Sequence, residues 1–134
     1  MAGRRCGTVQ ELNWHTATGN TGYQYQFSRT VHGKEALGAA HASEIPFVFG
    51  TLPVWQRRNG YNDSDKDYSV IMQQYWTNFA KTGDPNGAGR PAWPACKGAC
   101  DTLLDFTNDG PKARPDPWTA RLDLTASAAD KARK

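Results

Sequence analysis

Aliphatic residues are scarce in this sequence. Leu, Ile, Val and Phe together account for 19 of its 134 residues, about 14%, whereas chains below roughly 20% are usually disordered. Disorder fits the rest of the composition poorly, because the net charge is only +3 and the chain contains five Trp, five Tyr and five Phe. Aromatic side chains bury large areas. We therefore expect an ordered segment that packs against something else.

Long apolar runs and concentrated charge are also absent. No apolar run approaches the roughly 18 residues of a membrane span, and no apolar stretch follows Arg4 and Arg5 to make a secretory signal. Basic residues cluster there and at 131–134, without any nucleic-acid motif. We expect neither a membrane span nor a nucleic-acid partner, and the compartment stays open.

Cysteine is too infrequent for a structural zinc site. Such sites take about four ligands, commonly as two pairs, and this chain has one close pair, Cys96 and Cys100, with a solitary Cys6. A small-loop disulfide and two free thiols both suit the pair. The sequence therefore predicts no metal site, and the redox state of the pair stays open.

A serine nucleophile on a strand-to-helix elbow is missing as well. Such a serine is flanked as G-x-S-x-G, and none of the five serines has Gly two residues before and two residues after it. The sequence places no cysteine beside a histidine either. The chain thus shows no complete catalytic site of its own. Its serines are Ser28, Ser43, Ser64, Ser69 and Ser127.

The strongest local signal that is present predicts one long amphipathic helix from Ser64 to Lys81. Apolar residues recur there at helical spacing, which makes an unbroken stripe that packs as core. Asp63 or Ser64 can cap its first turn, and Gly83 can take the left-handed closing position. The stripe consists of Tyr68, Ile71, Met72, Tyr75, Trp76, Phe79 and Ala80.

Strand signals are few. Residues 23–27 alternate aromatics with Gln, which predicts a strand with one apolar face, and residues 103–106 suit a short strand. An earlier helix should end by about Thr16. The proline-rich stretch 111–117 is predicted to be irregular, and residues 119–134 are predicted to form a weak final helix. One long helix with so few strands cannot close an α/β domain. The elements look like one end of a larger sandwich.

Three histidines could supply a base. His15 and His32 lie in polar surroundings and read as surface residues, whereas His41 follows small residues and precedes a compact apolar stretch. A single histidine in a loop is more often structural or incidental than catalytic.

Several stretches together resemble the C-terminal portion of type-B carboxylesterases, the family of the cholinesterases and related bacterial esterases. They are residues 23–29 (YQYQFSR), 38–50 (GAAHASEIPFVFG), 75–87 (YWTNFAKTGDPNG) and 93–94 (WP). They run in order, and the resemblance extends from about Trp14 to Phe106. It makes residues 1–134 a partial type-B carboxylesterase domain.

This resemblance implies an α/β fold, as the C-terminal segment of an α/β-hydrolase sandwich with an incomplete sheet. It implies carboxylic ester hydrolysis by a serine hydrolase, acting on a small-molecule ester without metal or cofactor. His41 matches the general base of the triad, which takes the serine proton and returns it to the leaving alcohol. The nucleophilic serine and the acid should lie N-terminal to Met1, so whether this chain is active alone stays open.

The residues around His41 add three expectations. His41 should lie in a loop just after a strand, with its ring exposed and without a carboxylate partner. Glu44 should fix its own turn rather than serve as the triad acid, which must approach the imidazole from a separate position. Ala42 departs from the family pattern, because many members have Gly there, so backbone freedom beside the histidine differs.

Two other functions remain open at this stage. The chain could be a truncated remnant that catalyses nothing. It could also be a small binding module that uses aromatics left exposed at the missing interface, since large exposed apolar patches often mark partner surfaces.

Overall fold

The computed structural model describes residues 2–54, 60–98 and 100–118, with the backbone alone at 2–6. A 3-10 turn (Glu35–Leu37) lies between β2 and α2. In chain order the other elements are α1 (Ala2–Ala17), β1 (Gly22–Tyr23), β2 (Tyr25–Phe27), α2 (Ile45–Val48), α3 (Asp63–Thr82), β3 (Ala95–Cys96), β4 (Thr102–Thr107) and β5 (Gly110–Pro115). No described helix is long and apolar enough to cross a membrane.

The chain forms two compact units, of which the first comprises the described residues of Met1–Gln24, Pro94–Leu103 and Ala113–Lys134. α1 ends where the sequence predicts, and β1 pairs antiparallel with β3. A side chain at Gly22 would require the side chain of Leu12 in α1 to move, because a Cβ there would collide with it. Thr16 donates a hydrogen bond to the carbonyl of Gly98, 2.6 Å away.

Cys96 and Cys100 form a disulfide in this first unit, with their Cα atoms 5.1 Å apart. Both cysteines are buried. Of the two states that the sequence left open, the structure has the small-loop disulfide.

The second unit comprises Tyr25–Trp93 and Leu104–Lys112. Its sheet pairs β2 with β4 in parallel, with Tyr25 opposite Leu104 and Phe27 opposite Phe106. Parallel neighbours require a long crossover connection, and α3 lies in the stretch between them. A helix crossing between parallel strands is the repeating unit of α/β folds.

α3 carries the core of the second unit. Tyr68, Met72 and Tyr75 of the expected stripe are buried, but Phe79 at its far end is 49% exposed. Tyr75 and Trp76 surround Phe106 with Trp93, with ring centroids 5.4–5.8 Å apart. The stripe therefore packs as core along most of its length.

Both ends of α3 are capped. Gly83 is left-handed with φ of 77°, as predicted, but the cap at the other end is Asn62 rather than Asp63 or Ser64. Asn62 and Asp65 bond each other's backbone amides reciprocally, at 3.1 and 3.0 Å. The prediction failed because two further acceptors follow Asn62 directly, and only the reciprocal bond selects among them.

The carboxylate of Asp65 also holds a buried arginine. Its Oδ1 accepts from Nε and Nη2 of Arg29, at 3.0 and 2.8 Å. The guanidinium lies over the Tyr68 ring, 4.3 Å from its centroid, and donates to the carbonyl of Asn108. One carboxylate thus joins the start of α3 to the segment that follows β2.

Two further expectations are wrong. The stretch 111–117 is not irregular, because β5 occupies most of it as the edge strand of the order β2-β4-β5, and edge strands tolerate proline. Residues 23–27 do not form one alternating strand: Gln24 is buried, where it donates to Asp116, and Tyr25 is 38% exposed. β1 and β2 belong to different sheets. The weak helix expected at 119–134 lies outside the described residues.

Candidate active site

His41 lies in a tight turn on the surface of the second unit. The amide of Ser43 donates to the carbonyl of Ala40 at 3.2 Å, and Ala42 has a left-handed backbone with φ of 65°. Among described residues other than glycine, only Ala42 has a positive φ. A positive φ confined to the third position defines a type II turn, which normally has glycine there. His41 therefore stands at the second position, the corner of the turn.

The exposure of His41 is confirmed, but its place in the chain differs from the expectation. The side chain is exposed and makes no hydrogen bond or ion pair with any residue that the structure describes. It does not directly follow a strand, because the stretch after β2 forms the 3-10 turn Glu35–Leu37 before reaching it.

α2 begins immediately after the turn and anchors it. Pro46 occupies the first turn of this four-residue helix, where its missing amide costs nothing. The amide of Ile45 donates to the carbonyl of Ala42 at 3.3 Å, which continues the His41 turn into the helix. Phe47 is 3% exposed and packs its ring against Phe27, with centroids 5.2 Å apart.

An open cavity of about 530 Å³ lies beside His41. Its walls are mostly apolar, and its two cationic side chains are Arg29 and Lys34. Ser43 contributes a hydroxyl, but that hydroxyl donates to the carbonyl of Ala40 at 2.8 Å. No carboxylate is among the described residues that line this cavity. His41 is thus an accessible imidazole, and the described residues that line its cavity bring it neither a carboxylate nor an unbonded hydroxyl.

Glu44 faces a different depression from that of His41. Its side chain lines a cavity of about 390 Å³ with Tyr25 and Trp76, and His41 does not reach it. Burial raises the pKa of Tyr25, and the negative charge of Glu44 adds to the rise. The side chain makes no capping bond to α2; the turn uses the backbone carbonyl of Glu44, which accepts from Phe47 and Val48.

The other described serines have structural partners. Ser28 donates its amide to the carbonyl of Phe106, and its hydroxyl accepts from Gln26. Ser69 is buried in α3 and donates to the carbonyl of Phe47 at 2.6 Å. Ser127 lies outside the described residues. Among the described residues, no group of His, Cys, Asp and Glu side chains comes together as a metal site requires.

The stretch 75–87, which also resembles esterases, forms a scaffold. Asn86 donates to the carbonyl of Trp93 at 3.1 Å and accepts from its amide at 2.6 Å. Asn78 holds the carbonyl of Asn86, and the Tyr75 hydroxyl donates to the carbonyl of Pro91 at 2.6 Å. These bonds fold the segment after α3 back onto the helix.

Sequence reasoning missed two linking residues. Asp65 was not predicted to take part in the cap, although its position three residues after Asn62 is the spacing of a capping box. Ser69 had no sequence signal, because a serine inside an amphipathic helix does not reveal which carbonyl it meets.

Two solved esterases share this arrangement of elements. One is an esterase from Clostridium hathewayi described as able to hydrolyse aliphatic aromatic polyesters, with a TM-score of 0.71, 25% identity, and coverage of 87% of this chain and 23% of that one. The other is the Geobacillus stearothermophilus carboxylesterase EST55, with a TM-score of 0.66, 29% identity, and coverage of 84% and 23%. The fold is a segment of an α/β-hydrolase sandwich with an incomplete sheet.

The sequence profile of the carboxylesterase family matches residues 4–124, so the chain belongs to that family. It is 41% identical to acetylcholinesterase 1 of Caenorhabditis elegans over 84 residues, which cover 60% of this chain and 13% of that protein. It is 36% identical to carboxylesterase 4A of Bos taurus over 91 residues, which cover 65% and 16%. The chain therefore spans only about a seventh of the length of these relatives.

Proposed function

We propose that this chain supplies the catalytic base, His41, to a serine carboxylesterase that hydrolyses small carboxylic esters. The single observation that carries the proposal is the placement of His41 at the exposed corner of a turn, beside an apolar cavity and free of partners among the described residues. A base that is to serve a serine must leave one ring nitrogen accessible, which a histidine buried in a core does not do.

The chemistry would divide between this chain and the rest of the esterase. His41 would take the proton of a serine hydroxyl as that oxygen attacks the ester carbonyl, and would return a proton to the departing alcohol. The serine, the oxyanion donors and the acid that orients the imidazole would come from outside the described residues. The mostly apolar walls around His41 suit the hydrocarbon part of an ester.

A chimera tests this proposal. Residues 4–118 would replace the structurally equivalent segment of the Geobacillus carboxylesterase, and hydrolysis of a short-chain nitrophenyl ester would be measured. We expect activity that falls on the order of 10⁶-fold in kcat in the His41→Ala chimera, as for removal of a triad base elsewhere.

The controls are His15→Ala and His32→Ala, two exposed histidines that should leave kcat unchanged. The chain alone should show no turnover that depends on His41. If an active chimera kept its activity after His41→Ala, His41 would not be the base.

A further inference from the structure

The turn that carries His41 contains the one left-handed residue other than glycine in the described part of the chain. Such a conformation is costly for alanine and persists only where the surroundings hold it. Two bonds close the turn on Ala40, from the amide and the hydroxyl of Ser43. Both are local bonds that an ordinary type I turn, with a negative φ at residue 42, also allows. Something beyond the turn must therefore select the left-handed form.

α2 is the element next to the turn, and it is too short to be stable as an isolated helix. A helix of four residues is far shorter than the roughly 12 residues at which isolated helices become stable. It must therefore be fixed from outside. Burial of the Phe47 ring holds one face of α2 in place. The carbonyl of Phe47 accepts no hydrogen bond within so short a helix and therefore needs a donor from elsewhere.

Ser69 of α3 provides that donor. Its hydroxyl lies 2.6 Å from the carbonyl oxygen of Phe47, in the buried interior. Nε2 of Gln73 donates to the same hydroxyl at 3.0 Å, which orients the hydroxyl proton toward Phe47. Ser69 is 3% exposed, so no water replaces it without rearrangement.

We propose that Ser69 is a positioning residue for His41, acting through α2 and the left-handed turn at Ala42. The connection runs from Ser69 to the carbonyl of Phe47, then along α2 to the amide of Ile45, and from there to the carbonyl of Ala42. The first residues of α2 also line the His41 cavity. Releasing α2 from α3 would let residue 42 relax to a negative φ and change both the turn and the cavity wall.

The test on the chain itself uses NMR and amide hydrogen exchange. A strong nuclear Overhauser effect between Hα of His41 and the amide proton of Ala42 marks a type II turn. In Ser69→Ala we expect this signal to weaken and the protection of the Ser43 and Ile45 amides to fall about five- to tenfold. Adding Ala42→Gly should restore most of the signal, because glycine adopts the left-handed form without strain. Ser64→Ala, at the exposed start of the same helix, is the matched control: it removes only a long 3.4 Å contact with Nη2 of Arg29 and no bond to α2, so it should change neither.

Unchanged signals at Ser43 and Ile45 in a folded Ser69→Ala chain would overturn the proposal. If that variant does not fold, the pair Ala42→Gly and Ala42→Val decides, because linkage between two sites is reciprocal. Gly should raise and Val should lower the protection of the Phe49 amide, which donates to the carbonyl of Ile45 in α2. No response at Phe49 would again overturn it.

The consequence for catalysis rests on the proposed function and is measured in the chimera. We expect Ser69→Ala to lower kcat about tenfold with KM changed less than twofold, and Ser64→Ala to change neither. An unchanged kcat would mean that Ser69 does not position the base. Activity that survives His41→Ala would instead defeat the proposed function, while the NMR result would still decide the linkage from Ser69 to the turn.

Discussion

The two longest stretches that resemble esterases, residues 38–50 and 75–87, are built in opposite ways. The second is closed by side-chain bonds from Asn78 and Asn86 and by rings packed around Trp93. The first is closed by fewer side-chain bonds, from Ser43 to the carbonyl of Ala40 and from Ser69 to the carbonyl of Phe47, and His41 has no described partner. Both lie in the second unit. Two stretches that resemble the same family therefore differ in structure: one is a scaffold, and the other presents an exposed histidine.

The two stretches also differ in what determines their conformation. The stretch 75–87 obtains it from its own helix and from the bonds that follow the helix end. The stretch 38–50 obtains it from elsewhere, through the burial of Phe47 and the bond from Ser69. Substitutions in the scaffold should therefore be felt as lost stability, whereas substitutions in the His41 turn should change stability little.

The largest loss of stability is expected at Asp65→Asn. This change removes the charge that pairs with Arg29 in a buried site, and breaking one side of a buried pair costs about 3–5 kcal/mol. Urea unfolding of the chain measures it. Asp63→Asn is the matched control in the same first turn, because Asp63 pairs with Lys66 in an exposed position and exposed pairs contribute little. Equal losses in the two variants would mean that the Arg29 pair is not buried in solution.

A smaller loss is expected at Asn86→Ala, which removes both side-chain bonds to the backbone of Trp93. Loss of these two hydrogen bonds should lower the free energy of unfolding by about 1–3 kcal/mol. Exchange of the Trp93 amide proton should accelerate as well. Asn20→Ala is the comparison, because the Asn20 side chain makes an exposed local bond to Thr18. If Trp93 exchanged no faster in Asn86→Ala, the bonds at Asn86 would not be holding the segment.

The sequence predicted features that depend on local signals, but it did not predict those that depend on contacts between other residues. α3 and its left-handed end at Gly83 follow from spacing and a glycine, which are local signals. The helix cap did not, because Asn62, Asp63 and Ser64 are all good caps and the choice fell to the bond from Asp65. The strand at 110–115 was missed, because proline weighs against strands unless the strand is known to be an edge.

The candidate site was predicted only through resemblance. Composition and spacing left His41 as a histidine in a loop, and the family likeness alone selected it from the three. Its exposure followed from the absent serine and acid. Its support did not follow, because the bond from Ser69 to Phe47 joins residues 22 positions apart in sequence, and no periodic pattern encodes such a contact.

The smallest change in stability is expected for Ala42→Gly, which directly tests the contrast between the His41 turn and the scaffold. The left-handed backbone costs alanine about 1–2 kcal/mol. Glycine avoids that cost but loses about 0.4–1 kcal/mol of the gain through the greater freedom of the unfolded chain. The two effects leave a net stabilisation of about 0.8 kcal/mol. Urea unfolding would show it as a small rise in midpoint at constant slope.

Ala40→Gly is the control for this last change, since it lies in the same turn without a positive φ. It brings only the added freedom of the unfolded chain and should destabilise by about 0.4–1 kcal/mol. The opposite signs of the two variants are the informative result, because both replace an alanine by glycine two residues apart. Equal destabilisation would mean that residue 42 is not left-handed in solution. The turn would then need no support from α2, and the contrast between the supported His41 turn and the self-supporting scaffold of residues 75–87 would be wrong.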